Sequence, residues 1–292
     1  MKDNQTELNR RIDSLSQRLC REKEVASEAD FRELYELTGQ SMQRRFGPTI
    51  DHNPCSVASI SSTVVKMART ITPCKILNVG MGGYPFVDFE LIKMGFSVTG
   101  VEYSISLTAL AREVVLHRGY ELQCLVADGM KLPFRDASFE ACVCSETVEH
   151  VPNDAAVIRE IHRVLKPEGT FLFTVPCMLG LLGLNKRVVN YAQKHTLVMH
   201  PTHLREYTYV SAKQLVSEHF SIQRWHPVPF VTEQFRRMPY EKLLSLLVSL
   251  PILKHFSLSI AFVLKRRDVA LAENRRSRAD TEPRQRKGPV HC

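Results

Sequence analysis

The chain has 292 residues, of which 44% are hydrophobic and 24% charged. These values suit one folded domain with additions and exclude a disordered or collagen-like chain. The formal net charge is +8, but nine Lys or Arg and only four Asp or Glu fall between Lys265 and Cys292. Most of the excess therefore sits on a terminal stretch, and a basic nucleic-acid face on the folded body is not indicated.

In chain order, the polar start MKDNQTELNRR has no apolar signal core, so a reducing, cytoplasmic setting is expected. The eight cysteines have no repeated pair spacing, and Cys142 and Cys144 alternate on one face of an apolar run as packed thiols do. Leu8, Ile12, Leu15 and Leu19 predict a first helix, and Phe31, Leu34, Leu37 and Met42 a second that ends near Gly47-Pro48. Val57, Ile60, Val64 and Met67 predict a third. Residues 1–70 are read as an N-terminal helical addition that forms a lid. Strands and helices then alternate: strand CKILNVG, helix Phe86–Met94, strand SVTGVE, helix Leu107–His117, strand ELQCLVAD, strand EACVCSE, helix Asp154–Leu165 and strand GTFLFTVP. This rhythm predicts an α/β fold: a Rossmann-like, doubly wound, mostly parallel sheet of seven strands with helices on both faces. Residues 178–208 interrupt it as an insertion. A helix at Ser211–His219, a strand near SIQRWHP and a last strand from Leu258 complete a domain spanning 71–267. Residues 268–292 lack apolar periodicity and are expected to be a basic, disordered tail.

In such a sheet the ligand lies beyond the carboxyl ends of the strands. The first strand runs into Asn78, Gly80 and Gly82, but the sixth position of a dinucleotide motif is Pro85, preceded by Tyr84. Glu102 ends the second strand and Asp128 the third. Two carboxylates repel a diphosphate. They suit a ligand with hydroxyls, an amino group and a positive centre, and S-adenosylmethionine is such a ligand. Its ribose diol matches Glu102 and its adenine amino group Asp128, while Gly80 and Gly82 leave room for its methionyl portion. Pro85 suits the first residue of the helix that follows.

NVGMGGY, VTGVEYS, VADGMKLPFRDASFEACVCSETVEHV and IHRVLKPEGTFLFTVP, taken in order, resemble the motifs of class I methyltransferases, in particular the broad small-molecule branch. HLREYTYVSAKQLVSEHF resembles a later segment of the same family. The resemblance implies S-adenosylmethionine as methyl donor, a small-molecule or lipid- or sugar-linked acceptor, and a donor site of Asn78, Gly80, Gly82, Glu102, Tyr103, Asp128, Gly129, Met130 and Ser145. Asn78 stands where the family usually has an acid that helps to hold the donor's ammonium group, and Tyr84 replaces the last glycine of the motif.

Methyl transfer is an in-line displacement, so alignment supplies most of the acceleration and a base is needed only when the acceptor must lose a proton. His150 and Glu146, just after the fourth strand, are the candidate catalytic residues, whereas Glu149 is read as serving the following turn. His200, His203 and Arg205 are candidates for the acceptor pocket, with Arg205 either meeting an anion or bracing its own loop. His195, His200 and His203 lack a companion carboxylate pair or thiolate, so no metal is expected. LLSLLVSLPILKHFSLSIAFVL, residues 243–264, is broken by Pro251, Lys254 and His255. It reads as a helix and a buried strand, or as a peripheral membrane contact aided by the basic tail. The alternatives to a small-molecule enzyme are a nucleic-acid methyltransferase and a non-catalytic binding protein of the same fold. SETVEHV stands where enzymes acting on exocyclic base amines carry an Asn/Asp-Pro-Pro-aromatic cluster.

Overall fold

The computed structural model describes residues 2–21, 27–48, 55–177, 203–205, 207–228 and 259–268. Its elements are α1 (Lys2–Arg21), α2 (Glu28–Phe46), α3 (Cys55–Ala68), β1 (Lys75–Val79), α4 (Phe86–Lys93), β2 (Ser97–Glu102), α5 (Ile105–His117), β3 (Gln123–Val126) and β4 (Phe139–Ser145). After these come α6 (Asp154–Val164), β5 (Leu165–Pro176), α7 (Tyr209–Ser217), β6 (Phe220–Val228) and β7 (Ser259–Arg266). The strands form one seven-stranded sheet in the order β3-β2-β1-β4-β5-β7-β6. β1 to β5 pair in parallel, and β7 runs antiparallel to both β5 and β6. The reversal of strand order at β1 and β4 makes their carboxyl ends the switch point where a crevice opens.

The central strands read as continuous apolar runs because both faces are covered. On one face Leu77, Val79, Cys142, Cys144, Phe171 and Phe173 pack with Val157, Ile158 and Ile161 of α6 and with Ala212 and Val216 of α7. On the other face Ile76, Val98, Ala141, Val143 and Leu172 pack with Val64, Met67 and Ala68 of α3 and Leu91 of α4. Cys142 and Cys144 are fully buried, and burial pushes both thiols above their ordinary value. The third N-terminal helix is thus a layer of the sheet. The first two form a separate hairpin in which Leu8, Leu15 and Leu19 of α1 meet Phe31, Leu34 and Leu37 of α2.

Several expected boundaries move by a residue or two. Pro85 is the N-cap of α4 and not its first residue. β3 ends at Val126, so Asp128 stands two residues beyond it. His195, His200, Glu206, the remaining insertion apart from His203–Arg205 and Tyr207–Thr208, residues 243–258 and the tail from 269 lie outside the described residues. Among the described residues no helix is long and apolar enough to cross a membrane.

Candidate active site

Glu102, at the end of β2, is 8% exposed. Its carboxylate accepts hydrogen bonds from the Gly82 N–H and the Ser104 N–H, both at 3.1 Å. Burial raises its pKa, and the N–H groups of Ser104, Gly82 and Tyr103 oppose the rise. Each oxygen retains lone-pair capacity for a further donor, so the carboxylate both fixes the glycine turn and can receive a diol. Asp128 accepts from the Met130 N–H at 2.8 Å, which folds the 128–130 loop against the same crevice.

The two turn glycines have different reasons. Gly80 has φ +78°, and a Cβ there would come within 2.4 Å of the Thr147 hydroxyl. It makes room for Thr147 in the loop after β4. Gly82 has φ +68° and nothing within 4 Å of a would-be Cβ. It leaves an open floor beside Glu102.

Asn78, near the end of β1, is buried. Its amide donates to the Asp88 carboxyl of α4 at 2.8 Å, and Asp88 is fully buried. Burial raises the Asp88 pKa to about 7, with the Asn78 hydrogen bond opposing. An acid whose pKa is higher in the folded than in the unfolded chain stabilises the fold below the unfolded value of 3.8, and that contribution is lost as pH rises through about 7.

Tyr84, in place of the expected glycine, is explained by α2. Its hydroxyl donates to the Gly47 carbonyl at 3.0 Å, its ring stands edge-on to Phe46, and Gly47 caps the end of α2. At mid-helix, Glu36 accepts from the Ile105 N–H at 2.5 Å and the Ser106 N–H at 2.9 Å. Those are the first free amides of α5, and Ser104 takes the next, from Leu107. Partial burial pushes the Glu36 carboxyl up, but hydrogen bonds from Ser106 and Ile105 outweigh it and the net shift is downward. Gly39 lets the helices touch: a Cβ there would lie 2.7 Å from Ser106 Cβ. Tyr35 donates to the His150 carbonyl at 2.9 Å and packs edge-on to Tyr103. Burial, then the charges of Glu102 and Glu149, hold its pKa well above the ordinary value. Tyr103 also carries Arg32 over its ring, 4.8 Å from the centroid. Among the N-terminal helices, α2 is thus fastened around the carboxyl ends of β1, β2 and β4.

Beyond β4, Ser145 shares a hydrogen bond with Thr174 at 2.9 Å. Glu146 has φ +50°, a strained backbone for a side chain of this kind, and its carboxylate accepts from Ser259 at 3.1 Å. The turn Val148–His150 then brings together residues that the sequence separates. Glu149 is fully buried, with its carboxylate 3.7 Å from His150 Nε2 and 4.0 Å from His203 Nε2. The two imidazole rings lie 4.7 Å apart, and the possible ligand atoms of all three residues fall within 4.8 Å. A carboxylate between two imidazoles can hold a proton or a divalent cation. The sequence reading assigns His203 no carboxylate pair or thiolate; the structure places one carboxylate, that of Glu149, beside it, so Glu149 does more than serve the turn. His203 is 53 positions from His150, so no spacing rule could have paired them. Arg205 braces its loop: it donates to the carbonyls of Val148, Val151 and Pro152 and lies 3.5 Å from Asp154.

Residues 77–173 match the family described as a methyltransferase domain. A relative named ubiquinone biosynthesis O-methyltransferase, from Pseudomonas paraeruginosa, is 33% identical over 138 residues, 46% of this chain and 56% of its own. Sterol 4-C-methyltransferase strm-1 of Caenorhabditis elegans is 31% identical over 101 residues, 34% of this chain and 29% of its own. The chain thus spans about half or less of the length of these curated relatives. Among solved structures, that of the cyclase SpnF superposes with a TM-score of 0.59 at 18% identity, covering 83% of this chain and 97% of the other. At that identity the likeness is one of fold.

Proposed function

We propose, on the premise that this chain carries a class I methyltransferase domain, that it transfers a methyl group from S-adenosylmethionine to a small-molecule or lipid- or sugar-linked acceptor. The observation that supports this most is Glu102: a buried carboxylate with spare acceptor capacity, tied to a glycine turn whose floor is open at Gly82. When bound, S-adenosylmethionine supplies a methyl carbon already activated by a positive sulfur. Glu102 would take the ribose hydroxyls and Asp128 the adenine edge. Gly80, Gly82, Tyr103, Gly129, Met130 and Ser145 would line the remainder. The two relatives are named for ubiquinone biosynthesis and for a sterol, both apolar small molecules, and we read the acceptor of this chain as belonging to that chemical class.

We assign residues 71–267 to the catalytic domain, with 178–208 shaping the acceptor pocket and 268–292 outside it. The cover of the site we confine to α1 and α2, since α3 packs on the sheet. Calorimetry tests the reading. The methyl donor and its demethylated product are expected to bind in the micromolar range and NAD not at all. Thermal stabilisation by NAD without stabilisation by the methyl donor would overturn it.

His150 is assigned as the group that accepts a proton from the acceptor, with Glu149 holding the resulting positive charge. His150→Gln keeps the turn and removes the base. Turnover is expected to fall by about 100-fold or more with donor affinity unchanged. Turnover of His150→Gln equal to that of the parent would remove His150 from the chemistry.

A further inference from the structure

The Asn78–Asp88 pair ties the strand that enters the glycine turn to the helix that leaves it, and the functional reading above does not use Asp88. Two features single it out. Asp88 is fully buried, and the hydrogen bond from Asn78 is the one side-chain bond it makes among the described residues. Two buried oxygens, Asn78 Oδ1 and Asp88 Oδ1, also lack any donor among the described residues. The pair thus holds one donated hydrogen and two open acceptors. A single proton on Asp88 turns one acceptor into a donor, whereas an ionised Asp88 leaves a buried negative charge that calls for a cation.

Among the described residues no cation pairs with Asp88: Arg118, at the end of α5, lies over the Phe86 and Phe89 rings of α4, 5.5 Å from each centroid. From β3, Cys124 faces Asp88; burial, then the Asp88 charge, pushes its thiol up to about 11, so it stays neutral. Arg112 of α5 turns to the Cys124 carbonyl, at 2.8 Å. On α4 itself Lys93 pairs with Glu90 at the surface. From β2, Glu102 is held by Gly82 and Ser104, and on α3 Lys66 is exposed.

We propose that the Asn78–Asp88 pair is a proton-linked counter-charge for the methyl-donor site: a neutral acid–amide pair in the free protein, whose Asp88 proton is released to solvent when the ammonium group of the donor's methionyl end is seated at the glycine turn. The inference rests on the reading of the domain as a donor-binding one. The O–H bond of Asp88 breaks, its electron pair stays on the carboxylate, and the net charge of the pair falls by one as the ammonium group arrives. Asp88, ten residues after Asn78 and on a different element, then supplies the negative charge that Asn78 lacks. Asn78 positions it and relays its field.

The full-length protein tests this by calorimetry in buffers of different ionisation enthalpy. Near pH 6, below the pKa of Asp88, binding of the demethylated product, which keeps the ammonium group, is expected to release a substantial fraction of one proton per site. The release should fade as pH rises above about 8. Adenosine, which lacks the ammonium, should bind without release that depends on Asp88. Asp88→Asn should abolish the release and weaken product binding about tenfold or more. Asn78→Asp places two carboxylates in one buried pair, and is expected to weaken binding instead of restoring it. The double variant Asn78→Asp, Asp88→Asn keeps one acid and one amide, and should recover both affinity and proton release. If neither the methyl donor nor its product binds the parent protein, the domain reading fails and this inference with it. If the product binds with no proton release between pH 5 and 8, or with the same release in Asp88→Asn, this inference alone is overturned. A double variant no better than the single ones, in a folded protein, also overturns it.

Discussion

Glu102→Ala is expected to weaken binding of the methyl donor by about one to three orders of magnitude, with the sheet still folded. Charge-assisted hydrogen bonds to a diol contribute about 1.5–3 kcal/mol each. Water partly compensates for their loss, which leaves about 2–4 kcal/mol. The geometry adds a second route to the loss. The same carboxylate accepts the N–H groups of Gly82 and Ser104, so its removal also loosens the turn that forms the floor. Glu102→Gln separates the two contributions, because it keeps the side-chain shape but places an amide where at least one backbone N–H points. Calorimetry with donor and product measures both variants. An unchanged dissociation constant in Glu102→Ala would show that the diol is held elsewhere.

The second large effect is expected from a residue that touches no ligand. Gly39 of α2 lies against α5, where a Cβ would meet Ser106 Cβ at 2.7 Å and the Leu107 backbone nitrogen at 2.9 Å. Gly39→Leu improves the intrinsic helix propensity of α2 while forcing it away from α5. If α2 covers the site, turnover should fall about 100-fold, as expected when reacting groups lose their alignment and water enters. Donor dissociation should become faster in stopped-flow measurements. Circular dichroism should report unchanged helix content. Parent-like turnover in a protein with a displaced α2 would show that the helix serves stability alone.

The seven-stranded, mostly parallel sheet, its two covered faces, Glu102 at the end of β2 and Asp128 just beyond β3 were legible in the sequence because they follow from periodicity and chain order. Tyr84 was legible as a departure, but its reason was not. It lies in the partner of its hydroxyl, the Gly47 carbonyl 37 positions earlier. Asn78 was read as a weakened acid, but its bond to Asp88 of α4 was not foreseen, since a single Asp in an apolar helix gives no local sign of facing a strand. The carboxylate of Glu149 was assigned to a turn since nothing in VEHV reveals that His203 returns to meet it. α3 was grouped with the cover because an apolar face does not state which surface it seeks. Each miss is a contact between different elements, set by tertiary packing.

The borrowed cap on α5 has one more consequence. The amides of Ile105 and Ser106 are held by a carboxylate on a different helix, not by their own segment. Their exchange with solvent deuterium therefore depends on whether α2 is seated, whereas that of Thr108, held by the Ser104 carbonyl within α5, does not. The molecule thus contains an internal gauge. The ratio of exchange at Ser106 to that at Thr108 reads the open fraction of the helix directly, with no label and no ligand, and a compound that traps the helix in place would announce itself as slowing at two backbone positions.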